Sequence, residues 1–340
     1  MGINERQVID EMVAKSLRPS ARTWLKHLAF LIVTFVTSTI AGVLYPFGPI
    51  SILPDTDPQT FTEITQFILS LPVRYVGLVG TAVSSILSDP AYLRHGLSFS
   101  LSLMFILISH EMGHYIACRL YRVDSTLPFF IPTPPMVGPA GTFGAFIKIS
   151  TPLPSRRAVF DIGVAGPIAG FLALLPIAVI GVLSLEPLPP ELLANASGIT
   201  FSDPLLLRLL GYLAGIDPAV STGNPFYFAA WFGLLVTALN LIPSGQLDGG
   251  HAVYAVFGEF VHRWTGRLAF VAMVALATTG WIFFNSPSGF LLAILLGVMM
   301  KIPHPVPWDQ SPLDKKRKAV AFLTFVIFVL CFLPFPIQIK

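Results

Sequence analysis

The sequence predicts an all-α polytopic membrane protein with about six to seven transmembrane helices and a short membrane-associated β-hairpin or strand near residues 141–149. Of its 340 residues, 54% are hydrophobic and only 11% are charged. Together with a mean hydropathy of +0.74, this leaves too little polar surface for a soluble globule of this length. The hydrophobic residues also fall in runs that approach or reach the roughly 20 residues of helix needed to cross a bilayer.

The predicted spans follow one another along the chain, separated by proline-rich or basic segments. Residues 1–26 are polar and mixed in charge, and neither a signal peptide nor a transit peptide fits them. Residues 47–96 are interrupted by prolines and by Arg74, so we expect a surface or re-entrant element there instead of a clean span. An amphipathic piece is expected at 204–213. The predicted spans cover residues 27–45, 97–120, 159–183, 226–242, 268–284, 290–302 and 319–335.

A proline- and glycine-rich segment, residues 121–157, follows the second predicted span. From Gly141 to Ile149, apolar and polar residues alternate enough to form a short strand or hairpin. The exposed edge of such a strand can pair with an extended peptide. A membrane-associated loop is the alternative explanation. The residues of the candidate edge strand are Gly141, Thr142, Phe143, Gly144, Ala145 and Phe146.

These elements divide the chain into three parts. Residues 1–26 form an N-terminal segment, residues 27–302 a membrane-embedded core, and residues 303–340 a basic loop with a C-terminal transmembrane helix. If residues 47–96 do not cross the membrane, all but four of the 21 Lys and Arg residues lie on one side. The positive-inside rule then predicts a cytoplasmic N-terminus.

The second predicted span carries ionisable residues at membrane depth, which costs about 2.5–3.5 kcal/mol for each charged residue at a helix centre. These residues are His110, Glu111 and His114. On a helix the two histidines share one face, and Glu111 projects about 100° away from His110. This H-E-x-x-H pattern is typical of a zinc site in which the glutamate removes a proton from water. A pair of packed or interfacial histidines is the alternative.

A catalytic zinc site is expected to have a third protein ligand. The sequence NLIPSGQLDGGH, residues 240–251, begins at the end of the fourth predicted span and continues beyond it. Pro243 and the glycines of this stretch are expected to open the helix where Asp248 can turn towards the metal. The charge count places this break and the H-E-x-x-H helix at the same depth. Asp248 can instead cap a turn, and His251 is then the next candidate ligand.

The remaining composition argues against other classes of function. A net charge of +3, with the positive residues between apolar runs, gives no basic face for nucleic acid. The two cysteines, Cys118 and Cys331, lie in apolar segments and suggest no disulfide framework. Cys118 shares a helix face with His114, and we expect it to be a small apolar filler instead of a ligand.

The two motifs together resemble the paired signature of the site-2 protease family of intramembrane zinc metalloproteases. That signature is H-E-x-x-H with N-x-x-P-x-x-x-L-D-G on a later span, and the resemblance covers roughly residues 97–260. Every fixed position is matched, by His110, Glu111, His114, Asn240, Pro243, Leu247, Asp248 and Gly249.

The resemblance implies a zinc endopeptidase that cleaves transmembrane segments of membrane-anchored proteins within the lipid bilayer. It implies that Asp248 is the third ligand of one Zn²⁺ per chain and that Asn240 holds the substrate backbone or the tetrahedral intermediate. Glu111 would then be the catalytic base, and the strand at residues 141–146 would hold the unwound substrate. Family members often carry PDZ or CBS domains, and we expect none here, because no polar insertion is long enough to fold as one.

A metal-ion transporter or a non-catalytic zinc-binding membrane protein is the rival class, because acids and histidines at membrane depth also line ion paths. An ion path predicts polar residues along several spans, whereas these residues cluster at one depth. We expect an integral multi-pass protein in a bacterial-type inner membrane, in preference to an organelle. Its candidate active site is expected near the cytoplasmic side.

Overall fold

The computed structural model describes residues 19–51, 60–138, 140–188, 199–302 and 304–339, so residues 1–18 of the predicted N-terminal segment and residues 52–59 of the segment 47–96 lie outside the described part. The helices of the described part are α1 (Ala21–Val43), α2 (Phe61–Ser88), α3 (Pro90–Leu120), α4 (Arg156–Leu183), α5 (Leu205–Ala214), α6 (Pro225–Asn240), α7 (Asp248–Phe257), α8 (Glu259–Phe284), α9 (Ser288–Met299) and α10 (Lys315–Cys331). A 3₁₀ turn covers Pro218–Val220. The strands are β1 (Phe129–Pro132), β2 (Thr142–Phe146), β3 (Glu186–Pro187), β4 (Ile199–Phe201), β5 (Ser221–Thr222) and β6 (Ile337–Ile339).

The strands form antiparallel pairs, β1 with β2, β3 with β5 and β4 with β6. Within the described ranges, α1, α2, α3, α4 and α8 are long and apolar enough to cross a membrane. Helices α5, α6 and α9 are apolar but shorter. The predicted all-α polytopic fold is therefore confirmed.

Helix α2 corrects the prediction for residues 47–96. The prolines were expected to break this segment, but α2 runs without interruption through Pro72 for 28 residues. Proline removes one backbone hydrogen bond, and a long apolar helix can continue past it through local adjustment of the turn. The buried residues of α2 are Leu78 and Ala82, which pack against the end of α1, so the first half of α2 extends away from the core.

The core forms where α3 packs against α1, α4 and α6. Small residues allow these helices to pack closely. A Cβ added at Gly113 of α3 would lie 2.4 Å from the carbonyl oxygen of Ala165 on α4. On α4, Gly166 and Gly170 face α3 in the same way, which confirms the tight packing that a G-x-x-x-G pattern predicts.

The β1–β2 hairpin rests on α1. Thr37 of α1 donates a hydrogen bond from Oγ1 to the carbonyl oxygen of Gly141, at 2.7 Å, and His27 donates from Nδ1 to the carbonyl oxygen of Pro128, at 2.9 Å. Gly141 has a φ of +73°, and a Cβ there would lie 2.4 Å from the Thr37 carbonyl oxygen. An isolated bridge between Ser125 and Ile149 extends the ladder. The strand predicted near residues 141–149 is therefore present as one arm of a hairpin.

The segment after α6 differs from the prediction in one respect. The glycines beside Asp248 were expected to loosen the chain, but Asp248 begins the regular helix α7. A Cβ at Gly249 would lie 2.0 Å from the carbonyl oxygen of Leu241, and one at Gly250 would lie 2.4 Å from that of Gly245. These glycines therefore bring the start of α7 against the loop before it, which is close packing and not flexibility.

Helix α10 is tied to α4 by an ion pair. Arg317 donates from Nη2 to the Asp161 carboxylate at 2.6 Å, and the Tyr121 hydroxyl donates to the same carboxylate. Asp161 lies near the start of the predicted span 159–183, where an aspartate can interact with the helix dipole. Because α4 begins earlier, at Arg156, Asp161 lies in the second turn and pairs with Arg317 instead.

Candidate metal centre

Helices α3 and α7 bring three candidate metal ligands together. Nε2 of His110 and Nε2 of His114 lie 3.2 Å apart. Oδ2 of Asp248 lies 3.4 Å from the first of these nitrogens and 3.3 Å from the second. All three side chains are largely withdrawn from solvent. No other group of His, Cys, Asp or Glu in the described residues meets the same spacing.

The spacing of these atoms fits a tetrahedral zinc ion. Zinc bonds to nitrogen and carboxylate oxygen of about 2.0–2.2 Å place neighbouring ligand atoms of a tetrahedron roughly 3.3–3.6 Å apart. The three separations, 3.2, 3.3 and 3.4 Å, lie within about 0.1 Å of this range. Two imidazoles with one carboxylate also leave a fourth position for water, which is the donor set of a catalytic and not a structural zinc site.

Helix α4 fixes the ring of His114. A carbonyl oxygen only accepts hydrogen bonds, so the 2.7 Å contact from Nδ1 of His114 to the carbonyl of Ile162 places the proton on Nδ1. Nε2 then presents its lone pair to the other two ligand atoms, an arrangement typical of metal-bound histidines. A Cβ at Gly166 would lie 2.0 Å from that Nε2, so a glycine is required for the ring to occupy this place.

Glu111 lies beside the ligand cluster and is not part of it. Its side chain is buried, and it interacts with the backbone amide of Ile147, just beyond β2. This position agrees with the expected rotation of about 100° from His110 around the helix. Glu111 is thus placed to act on a group bound at the centre without occupying a ligand position.

Asn240, the last residue of α6, also reaches the cluster. Its Nδ2 lies 3.3 Å from Nε2 of His110. The amide therefore stands at the edge of the candidate centre, where a side-chain donor can contact a molecule held there.

A cavity of about 620 Å³ opens onto the cluster. Ala145 and Phe146 line it, and the chain that follows continues the lining to Ile149. The other predicted edge-strand residues do not line it: Thr142 is buried against β1, and Phe143 is 64% exposed. The end of β2 and the segment after it thus adjoin the candidate centre.

The structure also gives the positions of two further residues that the sequence analysis considered. Cys118 is fully buried among apolar side chains and is not in the ligand cluster, as expected of a filler. His251 lines the cavity, but it is not in the ligand cluster, which contains Asp248.

Sequence reasoning missed how closely α4 approaches the centre. A Cβ at Gly163 would lie 2.8 Å from Cβ of His251, and Gly166 and Gly170 adjoin the two metal-motif histidines. The available signal was the G-x-x-x-G pair of Gly166 and Gly170. Such a pair indicates close helix packing but does not show that histidine rings occupy the space.

Comparison with known proteins agrees with the zinc-binding geometry of this site. The model of peptidase family M50 matches residues 98–280. The chain is 31% identical over 245 residues to "Probable zinc metalloprotease EGY1, chloroplastic" from Arabidopsis thaliana, covering 70% of this chain and 43% of that protein. It is 28% identical over 302 residues to "Probable zinc metalloprotease EGY2, chloroplastic" from the same plant, covering 84% of this chain and 51% of that protein. The chain thus spans about half, or less, of the length of these relatives.

Proposed function

The chain belongs to peptidase family M50, and on that premise we propose that it is a zinc-dependent endopeptidase that cleaves transmembrane segments of membrane-anchored proteins. The observation that carries the proposal is the set of three ligand atoms at tetrahedral spacing, with Glu111 beside them. This set lies within a bundle of helices long enough to cross a membrane. One Zn²⁺ per chain would be held by His110, His114 and Asp248.

The chemistry divides between the metal and the side chains. A bound zinc ion supplies a Lewis acid that polarises the scissile carbonyl and makes water a stronger nucleophile. Glu111 takes a proton from the attacking water and later donates it to the leaving amine. Asn240 donates a hydrogen bond from Nδ2 to the developing oxyanion or to the substrate backbone.

A transmembrane substrate must unwind before it can be cleaved, because an intact helix uses its carbonyl groups in its own hydrogen bonds. Among the residues that the structure describes, β2 pairs with β1 alone, so its second edge is available for another strand. An unwound segment added at this edge would run past Ala145 and Phe146 into the cavity beside Glu111.

The rival function, metal-ion transport, is less consistent with this arrangement. A transport path needs polar groups along its length. The candidate ligands instead form one compact cluster, with a buried carboxylate beside them that is not a ligand. A general base explains such a carboxylate, whereas a transport path gives it no role.

The membrane is proposed to be of the bacterial type, either an inner membrane or a membrane of an organelle descended from bacteria. The relatives are named as chloroplastic proteins, which favours the organelle over the bacterial membrane that we expected. The cytoplasmic N-terminus stays a prediction. The charge count behind it applies only if residues 47–96 do not cross the membrane, whereas α2 within that segment is long and apolar enough to cross.

The test is cleavage in reconstituted lipid vesicles. The probe is a fluorescent single-span peptide whose helix is interrupted by an Asn-Pro pair, compared with the same peptide without the interruption. We expect the wild-type protein to cleave the interrupted peptide near the break and Glu111→Gln to abolish cleavage while zinc remains bound. Elemental analysis should find one zinc per chain in both proteins.

Glu259→Gln is the matched control, because Glu259 forms an exposed ion pair with Arg263 on α8, away from the cavity. That variant should cleave at the wild-type rate. Cleavage by Glu111→Gln at the wild-type rate would refute the mechanism. Zinc uptake into vesicles without cleavage would favour the transporter.

A further inference from the structure

A second histidine cluster adjoins the candidate centre on the side of α7. His251 lies one helical turn after Asp248, and its Nδ1 is 2.7 Å from Nε2 of His304. The His304 ring stacks on Tyr254 with a centroid separation of 4.0 Å and an angle of 14° between the rings. His262 completes the cluster, with its ring centroid 5.0 Å from that of His304. In the described part of the chain, none of these residues belongs to the group with metal-ligand spacing, which is His110, His114 and Asp248.

The hydrogen bonds of this cluster determine where the protons lie. Nδ1 of His304 is 2.8 Å from the carbonyl oxygen of Pro305, and since a carbonyl only accepts, His304 carries a proton on Nδ1. Burial and the neighbouring His251 and His262 lower the pKa of His304 to about 3, so its ring is neutral and its Nε2 accepts. Nδ1 of His251 must therefore be the donor in the contact between the two rings.

The same reasoning defines the remaining nitrogen of His251. Burial lowers the pKa of His251, so the ring is neutral and carries its single proton on Nδ1. Its Nε2 then has a lone pair and acts only as an acceptor. His251 lines the cavity that also contains Glu111 and Asn240. The protein thus holds a hydrogen-bond acceptor in the cavity that no residue of the proposed mechanism uses.

We propose that His251 binds the substrate by accepting a hydrogen bond from a peptide N–H group at Nε2, and that His304 is the positioning residue that fixes the tautomer and orientation of the ring. The proposal deepens the peptidase function above and rests on it. It names the chemistry that is recognised, which is the backbone of an unwound segment and not a particular side chain.

The backbone of an extended peptide explains why such an acceptor is needed. Successive N–H groups of an extended chain point to opposite sides, so a segment paired with β2 satisfies only one side. Within a bilayer, the groups on the other side have no water to bond with, and each unsatisfied group is costly. An acceptor on α7, an element separate from the hairpin, supplies a partner for one of those N–H groups.

The first experiment separates binding from chemistry. In the Glu111→Gln background, His251→Ala should raise the Kd of the interrupted single-span peptide by about 3- to 10-fold, the loss expected for one neutral hydrogen bond. In the otherwise wild-type protein, the same change should raise KM by a similar factor and leave kcat nearly unchanged, because the bond is made equally in the ground state and the transition state. Zinc content should stay at one per chain.

His95→Ala is the matched control. His95 is also partly buried and hydrogen bonded through Nε2 to a carbonyl, that of Phe47 at 2.9 Å, but it lies near the start of α3, far from the cavity. It should leave both Kd and KM unchanged. If both variants raised Kd and KM by similar factors, the effect of His251→Ala would be explained by general packing, and the proposal would be overturned.

The second experiment tests the hydrogen-bond chain. Nitrogen-15 spectra of labelled histidines in bilayers should show both His251 and His304 as neutral rings protonated at Nδ1. His304→Ala should raise the peptide Kd as His251→Ala does, and His304→Gln should restore most of the affinity, because the amide oxygen of glutamine can accept from Nδ1 of His251. A proton on Nε2 of His251 would overturn the proposal, since that nitrogen would then be a donor and could not accept from a peptide N–H group.

These outcomes are distinguishable from failure of the peptidase function. If the wild-type protein binds the peptide but does not cleave it, the peptidase proposal fails while the Kd comparison still tests His251. If it cleaves the peptide and His251→Ala changes neither Kd nor KM, the peptidase proposal stands and this one fails. Loss of zinc in His251→Ala would assign the residue to support of Asp248 and would also refute a role in substrate binding.

Discussion

Helices α2 and α3 are adjacent in sequence, similar in length and nearly equal in mean hydropathy, yet their surroundings differ greatly. Asp89 alone separates them, and its side chain caps the start of α3 by accepting from the backbone amide of Ala91. In the most apolar part of each helix, 44% of α3 is buried inside the protein, compared with 11% of α2. Hydropathy therefore identifies helices that suit a membrane but does not show which of them form the core.

Small and polar residues distinguish the two helices. The buried face of α3 includes Gly96, Ser100, Ser102 and the metal-motif residues, whereas the buried residues of α2 are only Leu78 and Ala82. In a bilayer, apolar side chains gain little by leaving lipid for protein, so close packing and hydrogen bonds decide which faces associate. Matched substitutions in α2 and in the core around α3 test this difference.

The largest effect is expected from adding one methyl group to each region. A Cβ at Gly166, on the helix that α3 packs against, would lie 2.0 Å from Nε2 of His114, whereas a Cβ at Gly80 of α2 would have no atom within 4 Å. Gly166→Ala should abolish both zinc binding and peptide cleavage, because the imidazole must leave its position. Gly80→Ala should preserve both. Elemental analysis and the vesicle assay measure the outcome, and full zinc retention in Gly166→Ala would contradict the close contact.

Asparagine replacements at two aspartates should give the next largest effect. Asp248→Asn removes the negative charge that helps to hold a dication, so it should abolish cleavage and weaken zinc binding while leaving helicity close to wild type. Asp89→Asn should change neither property, because an asparagine oxygen caps a helix about as well as an aspartate oxygen. Wild-type cleavage by Asp248→Asn would exclude Asp248 from the centre and direct the search for a third ligand elsewhere.

Leucine truncation should have a moderate effect on stability that depends on position. Leu103 of α3 is completely buried, while Leu69 of α2 is 74% exposed. Leu103→Ala should lower the free energy of unfolding by roughly 1–3 kcal/mol, mainly through the cavity that it leaves, since the transfer contribution is small in lipid. Leu69→Ala should change it by less than about 0.5 kcal/mol. Unfolding by denaturing detergent measures both, and equal losses would place α2 in the core.

A buried hydroxyl should give the smallest measurable effect. Ser100 of α3 lies 2.8 Å from the hydroxyl oxygen of Thr39 on α1, whereas Ser84 of α2 is exposed. Ser100→Ala should destabilise the protein by about 0.6 kcal/mol, the average found for hydrogen bonds between membrane helices. Ser84→Ala should have no effect on the same unfolding measurement. A larger cost for Ser84 would reveal a partner for the outer face of α2.

The parts of the centre that follow from local geometry could be predicted from the sequence. His110 and His114 lie on one helical face because of the helical repeat, and Glu111 lies beside them for the same reason. Asp248 is far along the chain, so its place depended on the resemblance to a family and on the agreement in membrane depth. In the structure its Oδ2 lies 3.4 Å from Nε2 of His110 and 3.3 Å from Nε2 of His114.

The parts that depend on contacts between distant segments could not be predicted. Pro72 suggested a break because proline removes one backbone donor, but this local rule does not show whether the helix continues beyond it, as α2 does. Gly249 and Gly250 suggested flexibility, because nothing in the sequence shows that the carbonyl oxygens of Leu241 and Gly245 lie against them. His304 belongs to no motif, and only the fold brings it to His251.

The attachment of the hairpin to α1 sets a limit on how the protein can be divided. The family match begins at residue 98, after α1, although the hairpin within the match rests on Thr37 and His27 of that helix. A fragment of residues 98–280 would keep every candidate metal ligand but would lose the support of the strand proposed to receive the substrate. We therefore expect the smallest functional unit to be larger than the region that defines the family, and truncated or fused forms of this protein to need the first helix.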